Sequence, residues 1–137
     1  MGLILGFCLV ALLGTFHHFA LSGLRRVTKS DRLLPDTAII IAFVGLLLIH
    51  VIEILFFAGV YRILQVSGWG DLSPQASGWT GLIYFSGITF TTLGYGQAEM
   101  TGFVTLVSMM QALGGFMVLT WSATFIYTVW KKLIEAE

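Results

Sequence analysis

The chain has 137 residues, of which 57% are hydrophobic and 10% are charged, whereas soluble domains carry about 25% charged residues. This composition excludes an ordinary soluble domain and predicts a protein that lies in a lipid bilayer. Seven basic and seven acidic residues cancel, which excludes the strong positive charge of a nucleic-acid-binding protein, and a single cysteine excludes an internal disulfide framework.

Three apolar stretches are long enough to cross a bilayer, whose hydrocarbon layer is about 30 Å thick and needs about 20 residues of helix. They cover residues 2 to 24, 37 to 64 and 101 to 130. A cleaved signal peptide is the alternative for the first stretch, but a signal peptide begins with basic residues and none precedes Arg25. We therefore predict an all-α membrane protein with three transmembrane helices.

The basic residues predict how these helices are oriented, because Lys and Arg are retained on the cytoplasmic side of short loops. Those that lie between the first two helices or after the third are Arg25, Arg26, Lys29, Arg32, Lys131 and Lys132. Only Arg62 lies on the other side. We predict an N-terminus outside the cell and a cytoplasmic C-terminus.

The region between the second and third helices divides into two parts. Residues 65 to 78 contain the run SGWGDLSPQASG, whose Gly, Ser and Pro residues predict an external loop. Residues 79 to 91, WTGLIYFSGITFT, are apolar but too short to span, so we predict a half-length helix that re-enters the membrane. Such a helix is tolerated only where protein or a water-filled cavity satisfies its backbone ends.

The next residues form the motif TLGYG, whose two glycines permit backbone conformations of opposite hand. An outer helix, a loop, a short re-entrant helix, this motif and an inner helix form the arrangement of potassium-channel pore domains, and the motif resembles their TVGYG filter. The resemblance covers residues 37 to 130 and implies that backbone carbonyls replace the hydration shell of an ion. The implied filter consists of Thr92, Leu93, Gly94, Tyr95 and Gly96, with potassium ions held at the first four.

One chain supplies one such strand, whereas a ring of carbonyls needs several, so we predict a four-fold homotetramer. The pore domain would cover residues 37–137, with the outer helix at 37–64, the loop at 65–78, the pore helix at 79–91, the filter at 92–96 and the inner helix at 101–130. Residues 1–36 supply an additional helix and a basic loop, which resemble the leading part of small bacterial channel subunits. The expected location is therefore a bacterial inner membrane.

Two departures from the family motif bear on selectivity. Leu93 stands where the family has Val, which replaces a stiff β-branched side chain with a freer one. Gln97 stands where the family has Asp, and Phe85 and Ile88, which would face it, cannot form hydrogen bonds through their side chains. The residues expected to support the filter are Thr91, Tyr84, Phe85, Ile88 and Gln97. We expect a looser filter, with poorer selectivity or faster inactivation.

The third helix carries a glycine pair, Gly114 and Gly115, about twenty residues after the filter. The pair resembles the hinge of channel inner helices, and close packing by small residues is the alternative. A spacing of three or four residues predicts one helix face that would line the pore, formed by Phe116, Leu119, Ala123 and Tyr127. Such an apolar face could close by dewetting.

Polar residues within the membrane stretches raise a separate question. His50 and Glu53 lie three residues apart and hence on one face of the second helix, and His17 and His18 interrupt the first helix. A buried carboxylate should be paired or neutral. Three interpretations remain: a structural hydrogen bond, a proton sensor, or a metal site, which is disfavoured because His17 and His18 are expected nearer the inner face than His50.

These predictions describe a tetrameric cation channel that conducts potassium passively, with lipid as its surroundings, no catalysis, no cofactor and no soluble ligand-binding domain. A weakly selective cation channel on the same scaffold is one alternative. A non-conducting membrane subunit that lends its helices to a partner is another.

Overall fold

The computed structural model describes residues 1–29, 34–73, 78–94 and 99–135. Four helices form: α1 (Gly2–Thr28), α2 (Pro35–Val66), α3 (Gly78–Phe90) and α4 (Phe103–Ile134). Helices α1, α2 and α4 are long and apolar enough to cross a membrane, whereas α3 has only 13 residues. The predicted all-α membrane fold is confirmed. Within the described ranges the β-pairing consists of an isolated bridge between Leu72 and Met100.

The helix ends follow from local chemistry. Helix α2 begins at Pro35 with Asp36 in its first turn. Pro suits this position because the first turn of a helix has no intrahelical acceptor for its N–H groups, and Pro has none. The negative charge of Asp36 is stabilised by the positive N-terminal end of the helix dipole. Helix α1 continues past its apolar stretch, with Arg25 and Arg26 in its last turn. Helix α4 likewise ends in basic residues. In both helices these positive charges interact favourably with the negative C-terminal end of the helix dipole.

The central pair of the fold is α2 and α4. Helices α1 and α3 each pack on both members of this pair, and in the described part of the chain they do not pack on each other. The larger core cluster surrounds α3, and its fully buried large side chains are Phe57, Tyr61, Leu82, Phe85, Phe90, Val104 and Val107. A smaller cluster joins the other ends of α1, α2 and α4 around Leu46 and Phe125.

A backbone clip joins the segments on either side of α3. The N–H of Ser73 donates to the carbonyl of Glu99 at 2.9 Å, and the N–H of Phe103 donates to the carbonyl of Trp69 at 2.8 Å. Gly102 has φ +61, and a Cβ there would overlap the Trp69 carbonyl, so this close crossing requires glycine. The clip holds the end of the return segment after α3 against the end of α2.

The glycine pair of α4 lies at two helix contacts. A Cβ added to Gly115 would overlap the backbone carbonyl of Phe90, and one added to Gly114 would come within 2.7 Å of Val10. The pair therefore lets α4 approach α3 on one side and α1 on the other, as small residues do between membrane helices. Bending at this pair stays a prediction.

We predict that Gly115→Ala destabilises the protein, because the added Cβ would overlap the backbone of Phe90. Backbone atoms cannot move aside as the end of a flexible side chain can. Overpacking of this kind costs about 1–3 kcal/mol. The matched control is Gly14→Ala in α1, where an added Cβ meets nothing within 4 Å, and where Ala should stabilise the helix by up to about 1 kcal/mol. The free energy of unfolding in mixed micelles measures both. Equal stability of the two variants would contradict the close contact.

Candidate functional site

The end of α3 and the residues after it form the first part of the site. The N–H of Thr92 donates to the carbonyl of Thr89 and the N–H of Leu93 to that of Ile88, both at 3.0 Å. This pair of bonds is a Schellman motif, which satisfies carbonyls that a helix C-terminus leaves open. It requires a left-handed residue, and Thr92 has φ +58.

The left-handed position in such a motif is usually glycine. A β-branched residue there is a conformational outlier and costs roughly 1–2 kcal/mol. Strain of this kind is typical of functional positions, and it suggests that the Thr92 side chain or carbonyl has a use. The Thr89 hydroxyl, by contrast, is occupied by its own helix, since it donates to the Phe85 carbonyl at 2.6 Å.

The backbone changes hand at successive residues after α3. Thr92 and Gly94 have positive φ, of +58 and +85, whereas Leu93 between them does not. Two residues of positive φ therefore flank one that lacks it, directly after the end of α3. Thr91, Thr92, Leu93 and Gly94 are all exposed in the single chain. The remaining predicted filter residues Tyr95 and Gly96, and also Gln97, lie outside the described residues.

A buried hydrogen-bond network holds α3 from behind. The Gln111 Nε2 group donates to the Ser86 carbonyl at 3.2 Å and to the Ser86 hydroxyl at 2.9 Å. The Tyr61 hydroxyl donates to Gln111 Oε1, and the Ser86 hydroxyl donates to the Ile54 carbonyl at 2.7 Å. All three side chains are fully buried. The network joins α2, α3 and α4 at the middle of the half-length helix.

Sequence analysis missed this network, because Ser86 lies 25 residues and Tyr61 lies 50 residues before Gln111 in the chain. The one available signal was a Gln within an apolar membrane stretch, since such residues usually have a buried partner. Phe85 has no hydrogen-bonding side chain, as expected, and it packs edge-on against Tyr61 with ring centroids 4.9 Å apart. The two aromatic rings therefore fill the space beside the network.

The other predicted support residues lie on the far side of α3. Tyr84 is 69% exposed, Thr91 is exposed and Ile88 is half-buried. They face away from α2 and α4, so in the described part of the single chain no other helix packs against this side of α3.

Helix α4 has one continuous exposed face. Phe116, Ala123 and Tyr127 lie on it, but Leu119 is half-buried and packs against the core. The face is instead completed by residues at a spacing of three or four, namely Thr105, Met109, Leu113, Phe116, Thr120, Ala123 and Tyr127. If this face lines a pore, Thr120 takes the place that the sequence analysis assigned to Leu119.

A second polar cluster lies where α1 meets α2 and α4. His17 Nδ1 is 2.8 Å from Glu53 Oε1, and His50 Nδ1 is 2.9 Å from Glu53 Oε2. Ser122 Oγ is 3.3 Å from His17 Nε2. The expectation that His17 lies nearer the inner face than His50 is wrong, because the two rings stack with centroids 5.6 Å apart. His18 is exposed and does not join the cluster.

Comparison with protein families gives one decisive finding. A family model described as "Ion channel" matches residues 49–132, which is more than half of the chain. The chain belongs to this ion channel family. The match includes just over half of α2, all of α3 and nearly all of α4, and so contains the buried network, the TLGYG motif and the exposed α4 face. Comparisons with curated proteins and with solved structures give no match.

Membership assigns this chain a channel function in a membrane, and the three spanning helices make it an integral membrane protein. Helix α1 precedes the matched region, yet its His17 binds the channel's Glu53. The additional helix is thus joined to the channel part by a buried polar contact as well as by apolar packing.

We predict that the network behind the pore helix of this ion channel is a strong source of stability. Gln111→Leu removes two bonds to Ser86 and the acceptor of Tyr61, and should lower the free energy of unfolding by about 1–3 kcal/mol. Tyr61→Phe should cost about 1 kcal/mol. In the double variant the two effects should be less than additive, because the residues share a bond.

Tyr127→Phe is the control, since it removes the same hydroxyl from an exposed position and should change stability by less than about 0.5 kcal/mol. Denaturation of the purified channel in mixed micelles gives all four values. Additive effects of Tyr61→Phe and Gln111→Leu would contradict a shared network.

Proposed function

We propose that this ion channel conducts potassium through a ring of backbone carbonyls contributed by residues 92 to 96 of four identical chains. The observation that carries the proposal is the alternation of backbone hand at Thr92, Leu93 and Gly94, directly after a half-length helix that lies between two spanning helices. Carbonyls that point to one axis can replace the hydration shell of a dehydrated cation.

The exposed surfaces of the chain support an assembly of several copies. The filter residues are exposed, with Leu93 at 79%, and so are the outer side of α3 and the long face of α4. In a four-fold ring these surfaces would turn toward the axis and the neighbouring chains. The last turn of α3 would then direct the negative end of its helix dipole toward an ion in the central cavity.

The distribution of basic residues supports an orientation with the N-terminus outside and the C-terminus in the cytoplasm. In that orientation the filter opens to the outside, and the two lysines that end α4 lie at the cytoplasmic face. A bacterial inner membrane is the proposed location.

Weak selectivity among cations is the second candidate, and the environment of Leu93 favours it. Its side chain is exposed in the single chain and is free to change rotamer, so it does not brace the filter strand against α3. A filter that holds its carbonyls less rigidly discriminates less between potassium and sodium.

The filter proposal predicts that Gly94→Ala abolishes potassium flux. Gly94 has φ +85, and a left-handed residue with a Cβ costs roughly 1–2 kcal/mol per chain. Over four chains this disfavours the conducting ring by roughly 10³- to 10⁶-fold. Gly23→Ala is the control, because an added Cβ there meets nothing within 4 Å.

Flux is measured as potassium efflux from liposomes that contain the purified protein, with barium as a blocker of potassium sites, and native mass spectrometry counts the chains. Loss of flux in Gly94→Ala alone, block by barium and four chains are the expected results. Flux that survives in Gly94→Ala would exclude these residues as the filter.

A separate prediction concerns selectivity. Leu93→Val should move the reversal potential in mixed potassium and sodium toward the potassium equilibrium value, because a β-branched side chain restricts the strand. Leu12→Val makes the same change on an exposed part of α1 and should have no effect. A wild-type channel that is already strictly selective would contradict the looser filter.

A further inference from the structure

The cluster of His17, His50, Glu53 and Ser122 has a hydrogen-bond pattern that constrains its protons. Each carboxylate oxygen of Glu53 contacts one imidazole Nδ1, at 2.8 Å and 2.9 Å. If Glu53 is ionised it only accepts hydrogen bonds, and both Nδ1 atoms then carry a proton. A neutral His17 then has Nε2 as an acceptor, and the Ser122 hydroxyl lies 3.3 Å from it.

The same arrangement also accommodates one more proton. If His17 is an imidazolium, its Nε2–H donates to the Ser122 oxygen, since a hydroxyl can both donate and accept. No heavy atom has to move, because only the direction of the Ser122 bond reverses. The cluster can therefore take up or release a proton while every bond within it persists.

Charge balance determines which of these states the membrane interior favours. Glu53 with two neutral histidines carries one net negative charge, whereas one added proton makes the cluster neutral. A net charge is costly within the bilayer. Among the described residues the ion-pair partners of Glu53 are His17 and His50, and the next basic groups along α1 and α2, Arg25 and Arg62, are exposed.

Among the described residues, the contacts that α3 and α4 make with the cluster involve no titratable side chain. Helix α3 contacts it through the ring of Phe90, and α4 contacts it through Ser122 and the ring of Trp121. His18 on α1 is exposed, and its ring meets Trp121. A proton is thus the cation that neutralises Glu53.

We infer that His17, Glu53 and His50 form a buried proton-binding site that controls conduction from behind the pore helix. This inference goes beyond the proposed filter. Proton binding does not depend on the filter, whereas the effect of the site on potassium flux rests on the proposed function. The site lies at the junction of α1, α2 and α4, two of which belong to the region matched by the ion channel family.

A metal ion suits these residues less well. Ligand bonds of about 2.0–2.1 Å in a tetrahedral zinc site place ligand atoms more than about 3 Å apart, but here they are joined at 2.8 Å and 2.9 Å. The geometry is that of hydrogen bonds.

The path from this site to the filter is short. The His50 ring lies 5.5 Å from the ring of Phe90, between centroids, and Phe90 is the last residue of α3. The carbonyl of Phe90 in turn packs against Gly115 of α4. A change of charge at His50 therefore acts on the turn that begins the filter strand.

A second proton gives the direction of the effect. When both rings are imidazolium, two positive charges stack with centroids 5.6 Å apart and planes within 14° of parallel. They repel each other, and the net positive charge opposes a cation near the end of α3. Conduction should therefore fall on acidification.

Potassium flux from liposomes between pH 8 and pH 5 tests the effect. If the doubly protonated state does not conduct, wild-type flux falls by at least roughly tenfold per pH unit below the midpoint, because each of the four chains carries one site. His50→Gln and His17→Gln each leave one ring and cannot take up the second proton, so their flux should vary less than about twofold over this range. His18→Gln should retain the wild-type profile.

His17 is fully buried and its variant can fail to fold, whereas the His50 side chain is 14% exposed and provides an independent variant. A wild-type profile in His50→Gln would overturn control of conduction by the site. A profile that disappears on chelation of metal ions would overturn the assignment to protons.

Nitrogen-15 NMR of histidine-labelled protein tests proton binding without any flux. At pH 7 the wild type should show one imidazolium per chain in the cluster, whereas Glu53→Gln should show both rings neutral. Neutral rings in the wild type as well would overturn the site. If the wild type passes no potassium at all, the proposed function fails, and this measurement alone decides the proton-binding site.

Discussion

A helix of 13 residues, packed between two helices long enough to cross a membrane, imposes the constraint on which the rest of this structure depends. Its last carbonyls cannot be left open in lipid, because each unsatisfied group costs several kcal/mol. The Schellman motif at Thr92 and Leu93 satisfies two of them. The same motif requires a left-handed conformation at Thr92. The hydrogen bonds that end α3 therefore also set the backbone conformation of the first residue of the proposed filter.

The half-length helix also needs lateral support, since it is too short to be held by the two faces of the bilayer. Gln111 and Tyr61 supply it with hydrogen bonds from α4 and α2. Gly115 supplies it with close packing, because the absence of a side chain lets α4 touch the Phe90 carbonyl. Buried hydrogen bonds and close backbone contact are the interactions that hold membrane helices together, where lipid weakens any hydrophobic preference.

The additional helix uses the same two kinds of contact on the other side of the α2 and α4 pair. Val10 packs on Gly114, and His17 binds Glu53 and Ser122. Gly114 and Gly115 are adjacent, so the contacts of α1 and of α3 with α4 lie within one helical turn. Through these neighbouring contacts the proposed proton site and α3 share the same part of α4.

Local patterns by themselves determined the three spanning segments, the half-length helix, the TLGYG motif, and the placement of His50 and Glu53 on one face. Each of these depends on apolar length, on glycine spacing or on a separation of three residues, all of which are properties of a single segment. Only the tertiary structure decided that Gln111 binds Ser86, that His17 meets Glu53, and that Thr120 shares the exposed face of α4 with Phe116. Those outcomes depend on how far each helix is rotated and shifted against its neighbours, which the packing of side chains from several helices sets together and no single segment encodes.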